Sequence, residues 1–329
     1  MRSFCCARLL RPRRRAAIVR RSTTAPSRRS KGLHAGHVDR LVKHSMFWVM
    51  DSDPVFTRGR ADRRWHKATA IGFALAGLAL TGCSVFLRST SVSIPTRATR
   101  TSAAGPAATL VVFLPGRGGS MADFDREGIV AVLQEAGVRA DTITVDAHLG
   151  YYFKRTVLER LQADVLQPAR SRGYRRIVLV GVSLGGLGAL LNERDHAGSV
   201  DALVLLGPYL GKDVRLFDRI AAAGGPAAWA AGRDPLAGGV EEQIWTFLGM
   251  RSAQLPPTWL LCGARDSLGP GHRLFATLLP AARVRTIDGA HDWPTWRALW
   301  RDLCFNTDLF RAEKTTETPV VSAAAGPAL

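Results

Sequence analysis

Apolar residues along this chain gather in short runs, and longer stretches with a helical period separate them. Residues 109–114, 140–147, 177–180, 200–206, 258–262 and 282–287 are the short runs, rich in Val, Ile, Leu and Thr. A run that stays apolar on consecutive positions, such as Ile177 to Val180, has no water-facing side, so it predicts a strand covered on both faces. Between the runs, apolar positions recur at helical spacing. Val157, Leu158, Leu161 and Val165 share one face of a predicted helix over 155–171, and Phe124, Ile129, Val130, Val132 and Leu133 turn inward from one over 121–137. Strands alternating with helices predict an α/β fold, a mostly parallel central sheet flanked by helices. Residues 212–255 break the rhythm with helical pieces, Ala- and Gly-rich turns and apolar Phe217, Ile220, Trp229, Ile244, Trp245 and Phe247. They predict a small helical insertion between two strands.

The pattern also divides the chain. Residues 1–45 are rich in Arg, Ser and Ala with no sustained apolar period, and read as a disordered or untranslated leader. A start at Met46 or Met50 would put a leader of ordinary length before the next feature. That feature is a basic stretch over 58–67 followed by the apolar run 68–80. The run is shorter than the roughly 18 apolar residues a bilayer span needs, and it fits a signal peptide over 46–82. It ends Leu80-Thr81-Gly82-Cys83, which resembles the bacterial lipoprotein box, where the signal is cut before a lipidated cysteine. The resemblance implies Cys83 as the lipid attachment site. It also implies a partner membrane and a place in the bacterial cell envelope, with Ser84 resembling the outer-membrane sorting pattern where such a membrane exists. A Ser/Thr/Ala/Pro-rich stretch then reads as a flexible tether over 83–106, the body as 107–305, and 306–329 as a loose tail.

Charge changes the picture only after it is located. The 329 residues carry a formal +18. Residues 1–82 hold 18 Lys/Arg and 4 Asp/Glu, leaving 27 basic and 23 acidic residues of the chain's 45 and 27 for the rest. The basicity belongs to the leader, so a nucleic-acid partner is not expected. Five cysteines, Cys5, Cys6, Cys83, Cys262 and Cys304, have no zinc spacing, and no metal or cofactor is expected. Cys262 and Cys304 read as buried free thiols, or as a pair in an oxidising compartment.

Chemistry concentrates where the third of these runs meets a helix. Ile177–Val180 leads into Gly181-Val182-Ser183-Leu184-Gly185, a G-x-S-x-G, and a helical pattern follows at once. The glycines let strand and helix approach closely around a sharp turn that exposes the serine. Two more candidates follow in order, each just past a predicted strand: Asp266 and, 25 residues on, His291. In an open parallel sheet such ends share one edge, where sites collect.

The Ser…Asp…His order and the strand–G-x-S-x-G–helix context resemble the α/β-hydrolase family over about residues 107–305. The resemblance implies Ser183 as nucleophile, His291 as general base and Asp266 as the group orienting it. It also aligns Pro115-Gly116-Arg117-Gly118-Gly119 with the family's His-Gly-x-Gly-Gly pattern. The backbone N–H groups of Arg117, to within one residue, and Leu184 would then form an oxyanion hole, with Pro115 departing from the family's His. Residues 212–255 sit where the family commonly has a cap over the acyl site; an extra packed helix pair is the other reading. Asp213 is the rival acid, Asp288 and Asp292 flank His291 too closely to orient it, and His148, His196 and His272 are rival bases. Tyr151, Tyr152 and Phe153 either line a pocket or pack in the core. The expected activity is hydrolysis of a small-molecule or lipid carboxylic ester or thioester. The alternative is a non-catalytic envelope lipoprotein that uses the fold as a binding module.

Overall fold

In a computed structural model, which describes residues 88–101 and 107–314, the six apolar runs become six strands of a seven-stranded sheet. The strands are β1 (Thr96–Thr99), β2 (Thr109–Leu114), β3 (Ala140–Val145), β4 (Arg176–Val182), β5 (Ala202–Leu206), β6 (Thr258–Gly263) and β7 (Val284–Ile287). Their spatial order is β1-β3-β2-β4-β5-β6-β7, all parallel except β1, which runs antiparallel to β3. The register pairs Leu114 with Gly181, Val182 with Leu206, Leu206 with Leu261, and Gly263 with Ile287. The carboxyl ends of five neighbouring strands are therefore level, and the loops beyond them share one rim.

Side chains alternate across the sheet, as a period of two requires. Leu110, Val112, Leu114, Ile177 and Leu179 enter one core layer; Val111, Phe113, Val178, Val180 and Val182 enter the other. On the second face lie α1 (Asp123–Arg126), α2 (Ile129–Glu135) and the C-terminal helix, α11 (Trp293–Asn306). Trp296, Leu299, Trp300 and Leu303 form its buried stripe. The fully buried Trp300 packs edge-on against Phe113 and Phe310, and its Nε1–H donates to the Ile129 carbonyl at 2.9 Å. On the first face lie α3 (Leu149–Phe153), α4 (Val157–Leu161), α5 (Gln167–Ser171), α6 (Leu184–Asp195) and α10 (Gly269–Ala276), together with the insertion.

The helix expected over 121–137 is two short helices, because Gly128 between them takes a positive φ of 72°. That over 155–171 contains a π-turn, Gln162–Leu166, just before Pro168, whose missing N–H cannot complete an ordinary turn. Tyr151 and Tyr152 are core residues, not pocket residues: both are buried in α3, and the Tyr152 hydroxyl donates to the Leu184 carbonyl.

The ends of the body differ from the expected boundaries. The tether expected over 83–106 is, at 88–101, part of the body. β1 covers what would otherwise be the open edge of β3, Ile94 is buried, and the Tyr151 hydroxyl donates to the Ser91 carbonyl. Threonine-rich composition suits a linker and an edge strand equally. The tail expected to be loose from 306 stays docked to Lys314: Phe310 is fully buried, and Glu313 accepts from Thr109 Oγ1 and pairs with Arg176. Residues 1–87, including the signal stretch and Cys83, and 315–329 lie outside the described residues.

The insertion is helical, as expected: α7 (Val214–Ala222), α8 (Pro226–Ala230) and α9 (Val240–Arg251). Buried Trp245 lies edge-on to Phe217, and α9 packs against α6. Of residues 212–255, Lys212 alone lines the cleft described below. The insertion is a packed flank, and its helices do not roof the site. Cys262 and Cys304 are free and buried in opposite core layers.

Trp300 supplies a measure of how far the second layer holds the fold together. Trp300→Ala should lower the unfolding free energy by about 3–5 kcal/mol in urea denaturation, through lost burial and the cavity left behind.

Candidate active site

β4 ends at Val182 and α6 begins at Leu184, so the chain must reverse within Ser183. It does so with φ 51° and ψ −111°, a conformation L-residues avoid. Close packing on both sides holds it there. A Cβ on Gly181 would lie 2.4 Å from the Gly185 carbonyl oxygen, and one on Gly185 would lie 2.2 Å from the Leu114 carbonyl oxygen. No side chain fits at either position. The Ser183 N–H donates to the Leu206 carbonyl at 2.9 Å, and its own carbonyl accepts from the N–H of Tyr209 at 2.9 Å.

The two partners arrive on neighbouring loops of the same rim. His291 Nε2 lies 2.9 Å from Ser183 Oγ, and its Nδ1 lies 2.8 Å from Asp266 Oδ2. An ionised carboxylate only accepts, so the proton sits on Nδ1 and Nε2 is left to accept from the hydroxyl. The Asp266 carboxylate is fully buried, and its Oδ1 accepts from the Leu268 N–H at 2.8 Å. Burial opposes its charge. Hydrogen bonds from His291 and Leu268, with the fields of His272 and His291, outweigh that and hold it below the usual carboxylate range. The His291 loop is pinned where α11 starts: Asp292 accepts from the Thr295 N–H at 3.0 Å, and Thr295 Oγ1 accepts from Ala290.

Two positions complete the arrangement that the sequence alone did not single out. The ring of Trp296 stands edge-to-face on His291, centroids 4.9 Å apart at 88°. Gly207, at φ 52°, leaves room for the group. A Cβ there would come within 2.9 Å of Trp296 Nε1, 3.0 Å of Asp266 Oδ2 and 3.2 Å of His291 Nδ1. Helical spacing in α11 marks Trp296 only as core, and a glycine closing a strand has many ordinary uses.

The rivals are elsewhere. Asp213 is exposed and caps α7 by accepting from the Arg215 N–H. Asp288 pairs with Arg265. His148 caps α3, and exposed His196 ends α6. His272 is buried behind Asp266, its Nε2–H donating to the Pro208 carbonyl at 2.9 Å.

Ser183 and His291 open into a cleft of about 960 Å3. Gly116 to Gly119 lines it opposite the helix start at Leu184, and Gly116 is packed so closely that a Cβ would lie 3.3 Å from that of Ser183. The N–H of Leu184 is in the first turn of α6, where no intrahelical acceptor exists. Leu268, Trp293, Pro294 and Trp296 are among its apolar lining residues, and Arg117 and Lys212 among its polar ones.

Two expected outcomes follow from this geometry. Gly185→Ala should abolish the close packing on the Leu114 carbonyl and lower the thermal midpoint by several degrees or prevent folding, as read by circular dichroism. The lowered pKa of Asp266 means that its ionised form stabilises the fold fully above the unfolded value of about 3.9, a contribution lost as pH falls through the lower folded value. Urea titrations should therefore find Asp266→Asn less stable than wild type near neutrality, with the gap closing below about pH 4.

No curated protein matches the sequence. Among solved structures, the chain is similar to S-formylglutathione hydrolase FrmB from Staphylococcus aureus at 16% identity, over 60% of this chain and 80% of that one, with a TM-score of 0.43. It is similar to the Staphylococcus aureus fluorophosphonate-binding serine hydrolase FphF at 17% identity, over 67% and 97%, with a TM-score of 0.44. It is similar to 2,6-dihydroxy-pseudo-oxynicotine hydrolase at 19% identity, over 69% and 68%, with a TM-score of 0.46. The model of the alpha/beta hydrolase family matches residues 111–325. Because that match runs from β2 through the last helix and takes in Ser183, Asp266 and His291, the chain belongs to the alpha/beta hydrolase family.

Proposed function

We propose that the protein is a serine hydrolase that cleaves carboxylic esters or thioesters through an acyl-enzyme. The observation that carries this reading is His291, hydrogen-bonded at one nitrogen to Ser183 Oγ and at the other to a buried carboxylate. A serine hydroxyl is a weak nucleophile at neutral pH, and an adjacent base activates it. As Oγ attacks the ester carbonyl, its proton passes to His291 Nε2, and the carbonyl oxygen takes up negative charge. Asp266 holds the imidazole in the required tautomer and stabilises the imidazolium. The backbone N–H groups of Arg117 and Leu184 receive the oxyanion. Collapse expels the alcohol or thiol, which takes the proton from His291. Water, deprotonated by the same nitrogen, then attacks the acyl-serine; the acid leaves and Oγ regains its proton. The apolar lining residues of the cleft, Leu268, Trp293 and Trp296, suit an acyl or aryl group.

Attachment to a membrane through a lipidated Cys83 is part of the same proposal and rests on separate residues. The cleavage pattern Leu80-Thr81-Gly82-Cys83 supports it. Incorporation of a palmitate analogue in a bacterial host should occur in wild type and be absent in Cys83→Ala; equal incorporation would refute the anchor and leave the hydrolase intact.

A fluorophosphonate probe should label the folded protein, and labelling should vanish in Ser183→Ala. A folded wild type that takes no label would favour a binding module instead. On a panel of ester substrates, Ser183→Ala and His291→Ala should each lose on the order of 10³-fold or more in kcat. Asp266→Asn should fall on the order of 10³-fold as well, because Asp213 is committed to a helix cap and does not replace it.

A further inference from the structure

The loop after β5, residues 207–213, makes one side of the cleft through Tyr209 and Lys212. It also reaches the nucleophile, since the Tyr209 N–H donates to the Ser183 carbonyl at 2.9 Å. A loop in that place must keep one shape, and its fastenings come from side chains outside it. His272 Nε2–H donates to the Pro208 carbonyl at 2.9 Å. Trp245 Nε1–H donates to the Leu210 carbonyl at 2.8 Å. Glu241 supplies the rest: its carboxylate accepts from the Tyr209 hydroxyl at 2.5 Å, and the backbone of Lys212 and Asp213 lies beside it.

The loop is folded around that carboxylate. Gly211 has φ 113°, and a Cβ there would lie 2.7 Å from Glu241 Oε2, so only glycine leaves the oxygen its place. Glu241 stands in the first turn of α9, where the helix dipole favours a negative charge. Burial, with the nearby charge of Asp213, pushes its carboxyl above the usual range, and the hydrogen bond from Tyr209 pulls the other way. The Tyr209 phenol is pushed up too, by burial and by the facing carboxylate, so it stays a donor. The hydroxyl thus points into the protein and not at a substrate. These contacts give the insertion a task at the site although its helices do not roof the cleft.

We propose that Glu241 is a positioning residue for the hydrolase reaction: from the helical insertion it holds residues 209–213 in the shape that forms one wall of the cleft beside Ser183. The proposal rests on the reading of Ser183 as nucleophile. A glutamine at 241 can accept from Tyr209, but its NH2 would replace the carboxylate oxygen that stands against Gly211, beside backbone N–H groups that are themselves donors. The wall would open while Ser183, His291 and Asp266 stay in place.

The test compares Glu241→Gln and Tyr209→Phe with Glu242→Gln. Glu242 pairs with Arg219 and closes the N-terminus of the same helix without touching the loop. Glu241→Gln should raise KM for an aryl ester about 10-fold with kcat changed less than about 3-fold, the signature of lost binding without lost chemistry. Tyr209→Phe, which deletes only the hydroxyl bond, should move KM the same way by about 3-fold. Glu242→Gln should leave KM unchanged even if it lowers the thermal midpoint, and fluorophosphonate labelling should persist in all three. The proposal is overturned if KM is unchanged in both Glu241→Gln and Tyr209→Phe, if kcat falls in proportion with kcat/KM, or if Glu242→Gln produces the same KM shift. Should Glu241→Gln fail to fold, Tyr209→Phe decides alone. A wild type that neither labels nor turns over ester sinks the underlying hydrolase reading instead.

Discussion

The backbone at Ser183 depends on three chain segments touching where side chains would normally stand. Gly181 lies against the Gly185 carbonyl, and Gly185 lies against the Leu114 carbonyl, so β4, α6 and the end of β2 meet backbone to backbone. That contact forces the reversal of the chain into a single residue. It lifts the serine above the rim while keeping the start of α6 directly beneath it. Every later feature of the site takes its position from this point. The loop beyond β2 packs on Ser183 because Gly116 can approach it, and the loop beyond β5 hydrogen-bonds its carbonyl.

Around that fixed point the electrostatics are arranged by burial. Asp266 is enclosed, and an enclosed carboxylate is tolerable only with its acceptors filled. The His291 ring and the Leu268 N–H fill them. The imidazole is therefore held by a charge that has nowhere else to turn, and the edge-on ring of Trp296 limits its rotation. A related logic operates at the half-buried Glu241, whose carboxylate accepts from the Tyr209 phenol and stands against Gly211 of the loop. One carboxylate orients a side chain and the other shapes a loop.

How much of this was legible in the sequence varied with the kind of signal. Runs such as Ile177–Val180 could only be strands covered on both sides, and their ends, read in order, located Ser183, Asp266 and His291 on one rim. The register of β4, β5, β6 and β7 is what joins them. Where composition was the only guide, the reading went astray. The Thr-rich stretch around 96–99 suits a linker as well as a strand, and pairing with β3 decided between them. The residues after 305 are polar enough to look loose, yet Phe310 fills the space beside Trp300. Tyr209, Gly207, Trp296 and Glu241 were beyond reach for a different reason. Their importance comes from what lies opposite them in space, 32 residues away in the case of Tyr209 and Glu241.

The sheet also separates the two thiols of the body. Cys262 projects into one core layer and Cys304 into the other, and burial raises the pKa of each. Neither is exposed to alkylating reagents while its own layer is closed. No cross-link ties the described part of the chain to the redox state of its surroundings. Each face of the molecule instead carries its own chemical tell-tale, a sulfur that becomes reactive only when that face comes apart.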